Sequence, residues 1–141
     1  MQGVTFDTYH SYNAWGLILK SQPVITQPKP KEKLVEVPGT DLVLDLTEAL
    51  TGKVHYSPRE IKCEFLTMAS RSRWPEIYSD VMNAIHGKRM QIVLDNDPDY
   101  YWLGRVRVGD PKSDKGAAMT FEITATVEPY KHELYGSGRR L

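Results

Sequence analysis

Val37-Pro-Gly-Thr-Asp-Leu-Val-Leu-Asp-Leu-Thr-Glu-Ala-Leu-Thr-Gly52, with Tyr56-Ser-Pro-Arg-Glu-Ile-Lys-Cys-Glu-Phe65 close behind it, decides the fold of this chain. Leu34–Val37 and Leu42–Leu46 are short aliphatic runs on either side of Pro38-Gly-Thr-Asp41. Proline followed by glycine suits a turn whose second central residue needs a positive φ, so the runs are read as a β-hairpin. Thr47–Leu50 suits a brief helical turn closed by Gly52. From Ile61 to Met68 the pattern alternates, with Ile61, Cys63, Phe65 and Thr67 on one face and Lys62, Glu64 and Leu66 on the other. That alternation marks a strand with one buried side.

Working outward, residues 4–20 read as a strand, a turn at His10-Ser-Tyr-Asn13 and a second strand containing Trp15, Leu17 and Leu19. Gln22–Lys33 carries three prolines, each lacking a ladder donor, so it is an edge segment or an extended arm. One helix follows the hairpin region. Pro75 suits a first turn, Glu76 sits near the positive end of the dipole, and Gly87 supplies the stop. Ile77, Tyr78, Val81, Met82 and Ile85 form its apolar stripe, and Trp74 is placed to staple its entry. Met90–Leu94 and Tyr101–Val108 then flank the acidic turn Asp95–Asp99. Met119, Phe121, Ile123, Ala125 and Val127 alternate with polar residues in the clearest strand of the chain. The order of strands, one helix and more strands gives an α+β class: a mainly antiparallel β-sandwich with one α-helix packed on it. Residues 1–134 form a single domain in this reading, and 135–141 a flexible C-terminal tail.

Composition limits the chemistry. At 141 residues, 40% hydrophobic and 26% charged, the chain has enough apolar content for one core without covalent staples. Its net charge of zero provides no field to steer it onto nucleic acid or an anionic membrane, and no binding to either is expected. The N-terminus lacks a basic start and apolar run, so synthesis in a cytoplasm is expected. Cys63 is the single cysteine, which excludes an intramolecular disulfide, and its place in a strand pattern reads as a small buried hydrophobe.

No catalytic residue, metal ligand or cofactor site emerges. Asp95, Asp97 and Asp99 have the spacing that opens a calcium loop, but Tyr100 stands where glycine is needed and Val106 where a bidentate Glu belongs. His10, His55, His86 and His132 show no helical zinc spacing. There is no nucleophile elbow and no phosphate-binding glycine loop, so no enzyme is expected. A basic stripe of Arg71, Arg73, Arg105 and Arg107 beside Tyr100, Tyr101 and Trp102 has the residue types of an RNA-binding sheet, which the neutral charge argues against.

Several segments together resemble the distal tail protein family of long-tailed bacteriophages, specifically its N-terminal ring-forming domain. The resemblance rests on the VPG turn leading into Asp45-Leu-Thr-Glu-Ala-Leu-Thr-Gly52, on Tyr56-Ser-Pro-Arg-Glu-Ile61, and on the early His10-Ser-Tyr-Asn-Ala-Trp-Gly-Leu17. It continues through the helix ending Ile85-His-Gly-Lys88, the hairpin Asp95-Asn-Asp-Pro-Asp-Tyr-Tyr-Trp-Leu-Gly-Arg105, and the closing Val127-Glu-Pro-Tyr-Lys131. The resemblance implies a β-sandwich with one α-helix and a projecting β-hairpin, in a structural virion protein made in the host cytoplasm and located at the tail tip. It implies a hexameric ring of identical subunits that joins the tail tube protein to the tail-associated fibre or lysin protein. The outward-facing second domain of many members has no counterpart in these 141 residues.

A closed ring needs two different patches per subunit. The expected interface residues are Val24, Pro28 and Pro30 in the proline-lysine arm, with Leu50, Tyr56 and Pro58. Pro38, Gly39, Asp45, Gly52, Arg59, Gly87, Gly104 and Arg105 are read as fold-setting, the arginines through pairing with carboxylates or carbonyls. Two alternatives of other kinds stand beside the hub. One is another tail component, a tube or tail-completion protein, of which a tube protein would polymerise into fibres; the other is a monomeric carbohydrate-binding sandwich, which would use Tyr100, Tyr101 and Trp102 as its stacking platform.

Overall fold

The computed structural model describes residues 2–49, 51–114 and 117–141. In chain order the strands are β1 (Val4–Phe6), β2 (Tyr9–His10), β3 (Ile18–Leu19), β4 (Val24–Ile25), β5 (Leu34–Glu36), β6 (Val43–Asp45) and β7 (Arg59–Thr67). They continue as β8 (Arg89–Leu94), β9 (Tyr100–Val108), β10 (Lys112–Asp114), β11 (Ala118–Val127), β12 (Lys131–Glu133) and β13 (Arg139–Arg140). Two α-helices, α1 (Ser11–Trp15) and α2 (Trp74–Ile85), lie between them. The architecture is the expected α+β one, mainly antiparallel β with α2 as its one substantial helix. The main sheet runs β2-β1-β8-β9-β11-β7-β3, with β4 also on β7, β10 on β11 and β12 on β9. Strands β5 and β6 stand apart as a two-stranded sheet of their own.

The spine is the pairing of β11 with β7, which sets Phe121 opposite Phe65, Ile123 opposite Cys63 and Ala125 opposite Ile61. All six are buried, while the intervening pair Glu122 and Glu64 faces solvent. Period-two alternation on both strands makes one side of the sheet continuously apolar, and each large side chain buried there contributes about 1.5–3 kcal/mol. The apolar stripe of α2 meets that side: Trp74, Ile77, Val81 and Ile85 are buried with it. Tyr78 sets its ring edge-on to Phe121 at 5.6 Å and donates its hydroxyl to the carbonyl of Gly109 at 2.7 Å. The Trp74 indole N–H donates to the Ala69 carbonyl, which fixes the entry to the helix. Gly87 ends it in the left-handed region at φ +76°, and its amide crosses to the Val106 carbonyl.

Three elements differ from the sequence reading. His10–Asn13 is not a plain turn: Ser11–Trp15 is a short helix, and only Ile18–Leu19 of the expected second strand pairs. His10 is its N-cap, accepting through Nδ1 from the amides of Tyr12 and Asn13, while its Nε2 lies 2.8 Å from Asp95. Gly16 closes the helix at φ +69°. Next, Trp102 is 3% exposed and belongs to the core. Finally, the segment 135–141, read from its glycines as a flexible tail, folds back, with Arg139 and Arg140 pairing with His132 and Lys131. Arg139 lies over the Tyr130 ring and Arg140 over that of Tyr100, which gives the fold-back its contacts.

Candidate assembly surfaces

The hairpin of β5 and β6 is the part of this molecule whose residues lack a core. Cross-strand partners are Leu34 with Asp45, Val35 with Leu44 and Glu36 with Val43. Backbone hydrogen bonds continue the ladder outward to Val37 with Leu42 and inward to Lys33 with Leu46. Directly opposed residues share a face. One face therefore presents Val35, Val37, Leu42, Leu44 and Leu46 with Lys33 at its base, and the other Leu34, Glu36, Val43 and Asp45. All residues of both strands are exposed, Leu44 at 50%, and so is Leu42 just before β6, at 65%. A two-stranded ribbon is marginal by itself in water, and in the single chain its aliphatic face is left open to solvent.

The ribbon is carried on a stem that the sequence reading does not contain. Pro30 and Tyr56, both expected at a subunit interface, form a β-bridge with each other. The amide of Lys31 donates to the His55 carbonyl and that of Ser57 to the Lys29 carbonyl. Proline is tolerated there because its missing N–H faces away from the ladder. Tyr56 also packs edge-on against Tyr130 at 6.1 Å. Residues 29–57 thus leave the main sheet and return to it as one arm. Val24 lies on β4 at the sheet edge opposite Lys62 and is 58% exposed, Pro28 is half-buried, and Pro58 is exposed. Leu50 lies outside the described residues. The structure brings Pro30 and Tyr56 together at the stem; Val24 sits apart on β4.

The residues read as fold-setting have these places. Pro38 and Gly39 occupy the tip turn, Gly39 at φ +77°, where Thr40 donates its amide to the Val37 carbonyl. Asp45 accepts from the hydroxyl and the amide of Thr47, bonds that hold its carboxyl below the usual carboxylate value. Gly52, at φ +71°, donates its amide to Glu48. Arg59 donates Nε to the Thr26 carbonyl at 2.9 Å, and its guanidinium lies 4.9 Å above the Trp102 ring, where burial lowers its pKa. Arg105 donates to the Gly87 carbonyl at 2.7 Å. Gly104 stands opposite Val127, so close that a Cβ would lie 2.6 Å from the Val127 Cα.

Clefts lie on either side of α2. One, of about 670 Å3, lies between α1 and α2 and includes Tyr12, Trp15, Met68 and Ile77 with the opposed charges of Arg73 and Asp80. The other, of about 560 Å3, lies between α2 and β10 and has a more apolar lining that includes Trp74, Pro75, Tyr78 and Met119. Sequence reasoning assigned Trp74 and Tyr78 to the core, and each also forms the wall of a cleft. Its signal was the tyrosine at the margin of the helical stripe.

Little here suits bond-making chemistry. Among the described residues no three His, Cys, Asp or Glu side chains are grouped to hold a metal. In the acidic turn, Asp95 accepts from the Gly3 amide and pairs with His10, and Asp97 takes the Lys131 ammonium at 2.6 Å. Half of the basic stripe is engaged too: Arg107 bonds Thr126 and Glu60, and Arg105 the Gly87 carbonyl. The stacking platform of Tyr100, Tyr101 and Trp102 is not formed. Trp102 is buried, Tyr101 is stacked on His132 at 5.3 Å, and Tyr100 carries Lys131 and Arg140 over its ring. Among the described residues no helix is long and apolar enough to cross a membrane.

Cys63 is 2% exposed, and burial, aided by the Glu122 carboxylate, pushes its thiol up from 9.0 to about 12. The thiolate needed for nucleophilic attack is therefore scarce at neutral pH. Above pH 9 the unfolded chain loses this proton while the folded chain keeps it, so stability should fall with rising pH by about 1.4 kcal/mol per unit. Urea titrations between pH 8 and 10.5 test this: Cys63→Ala should be less stable overall but show a shallower fall. A thiol reagent should label the native protein only on unfolding.

No protein-family model matches the chain, and no curated protein does. Among solved structures, the Dit (gp 19.1) protein of phage SPP1 is similar, with a TM-score of 0.74 over 94% of this chain and 9% sequence identity. That protein is described as a paradigm of the hub adsorption apparatus in phages infecting Gram-positive bacteria. The chain spans about half of its length, 52%. The fold found is thus the one the sequence resemblance implied.

Proposed function

We propose that this chain is a structural hub of a long-tailed phage or prophage, assembling into a closed, hexameric ring at the distal end of the tail. The ring joins the tail tube protein on one side to a tail-associated fibre or lysin protein on the other. The observation that carries this reading is the arm 29–57, which exposes a one-sided aliphatic ribbon on a fold shared with a phage adsorption hub. A subunit whose apolar ribbon lies outside its own core is suited to a neighbour's surface. Two unlike patches, arm and cleft, are what a heterologous, ring-closing contact uses. The zero net charge removes a general repulsion between subunits.

The tail-tip position is tested by gold-labelled antibodies raised against this chain and applied to virions of the phage that encodes it. Label should collect at the end of the tail away from the head. Label along the whole tube would identify a tube protein instead, and unlabelled virions would remove the virion role.

A further inference from the structure

We propose that the hairpin tip of one copy seats in the cleft between α2 and β10 of the next copy, held by charge as well as by apolar contact. This rests on the ring-hub reading and names the acceptor surface within it. The tip, Glu36-Val-Pro-Gly-Thr-Asp-Leu42, exposes Pro38 and Leu42, with the carboxylate of Asp41 next to Leu42 in the turn and that of Glu36 on the other face of the ribbon. The α2–β10 cleft is its chemical complement. Its described lining includes Trp74, Pro75, Tyr78 and Met119 with the cations Arg71 and Lys112, and no carboxylate among the described residues. Among the described residues none of Glu36, Asp41, Arg71 and Lys112 takes part in an ion pair. Arg71 is instead laid over the Trp74 ring at 5.5 Å. Lys112 stands at the border of this cleft and also lines the adjoining depression, whose carboxylates are Asp110, Glu64 and Glu122.

The alternative acceptor, the cleft between α1 and α2, lacks this complementarity because its Arg73 and Asp80 offset each other. An acidic, aliphatic tip entering an apolar cleft with two free cations gains both burial of Leu42 and two charge pairs that fix its register. Tip and cleft lie on different parts of the same chain, so the contact is head-to-tail, as a ring requires.

Charge exchange tests the pairing. Glu36→Lys with Asp41→Lys should weaken assembly at least about tenfold, and Lys112→Glu with Arg71→Glu should do the same, since each turns two attractions into repulsions. Combining the four substitutions in one chain should restore assembly to within about threefold of wild type. Because Arg71 also touches Trp74, Lys112→Glu alone is the check that leaves the aromatic contact in place. A second readout does not depend on charge: chains carrying Leu42→Cys mixed with chains carrying Ser79→Cys should form a disulfide-linked pair under mild oxidation. Reversals that assemble like wild type, with no cross-link between Leu42→Cys and Ser79→Cys, would overturn this acceptor while leaving the ring standing. A wild-type chain that never assembles in the same assay would remove the ring reading itself, and this acceptor with it.

Discussion

Gly104→Ala should lower the unfolding midpoint by roughly 10 °C, the largest stability loss of any single methyl added to this chain. Gly104 lies in β9 opposite Val127 of β11, and a Cβ there would collide with the Thr126 carbonyl oxygen and approach the Val127 Cα and Cγ1 at 2.6 and 2.7 Å. Two of those contacts are backbone, so no side-chain rotation relieves them. The strands must separate at the centre of the main sheet, beside buried Trp102 and Val106. Overpacking of a well-packed core costs about 1–3 kcal/mol, and a backbone collision belongs at the upper end or above it. In a domain of this size about 3 kcal/mol corresponds to a shift of about 10 °C. Thermal unfolding followed by circular dichroism measures it. A shift below about 3 °C would mean that β9 and β11 are not as closely set as described. Gly39→Ala is the contrast: its positive φ strains only the tip of the arm, and global unfolding should hardly move.

The second large effect concerns assembly, not folding. Leu42→Asp with Leu44→Asp should leave the unfolding midpoint within about 2 °C of wild type and weaken self-association by more than about a hundredfold. Both side chains are half or more exposed in the single chain, so replacing them removes little internal packing. In the assembled state they lie on the aliphatic face of the ribbon, and covering each leucine is worth about 1.5–3 kcal/mol, before the added penalty of burying two carboxylates. Leu34→Asp, on the mixed face with Glu36 and Asp45, should have the smaller effect. Sedimentation of the variants at matched concentrations separates these cases. Equal losses from both faces would refute the sidedness of the ribbon.

The parts of the fold legible from sequence are those where burial imposes a strict period. β7 and β11 alternate because one side of each lies on the core, and α2 shows its stripe because only one side meets the sheet. The turn at Pro38-Gly39 was legible because proline and glycine have specific backbone needs. Helix α1 was not, since its N-cap is His10, outside the usual set of serine, threonine, aspartate and asparagine. The burial of Trp102 was obscured by its neighbours Tyr100 and Tyr101, although period two carried back from Val108 and Val106 through Gly104 reaches Trp102 on the same face. The stem was hidden for a different reason. Its pairing of Pro30 with Tyr56 joins residues far apart in sequence, and prolines signal a loop to any local reading. The aliphatic face of the ribbon could have been found by folding Leu34–Leu46 about Pro38-Gly39 and asking which residues oppose each other.

The central claim is that this chain closes on itself into a ring and stops. Light scattering on the purified wild-type protein across a dilution series measures that most directly. The predicted result is a mass that rises with concentration to about six chains and then stays level. A monomer at every concentration, or a mass that climbs past six without a plateau, would contradict a closed hub.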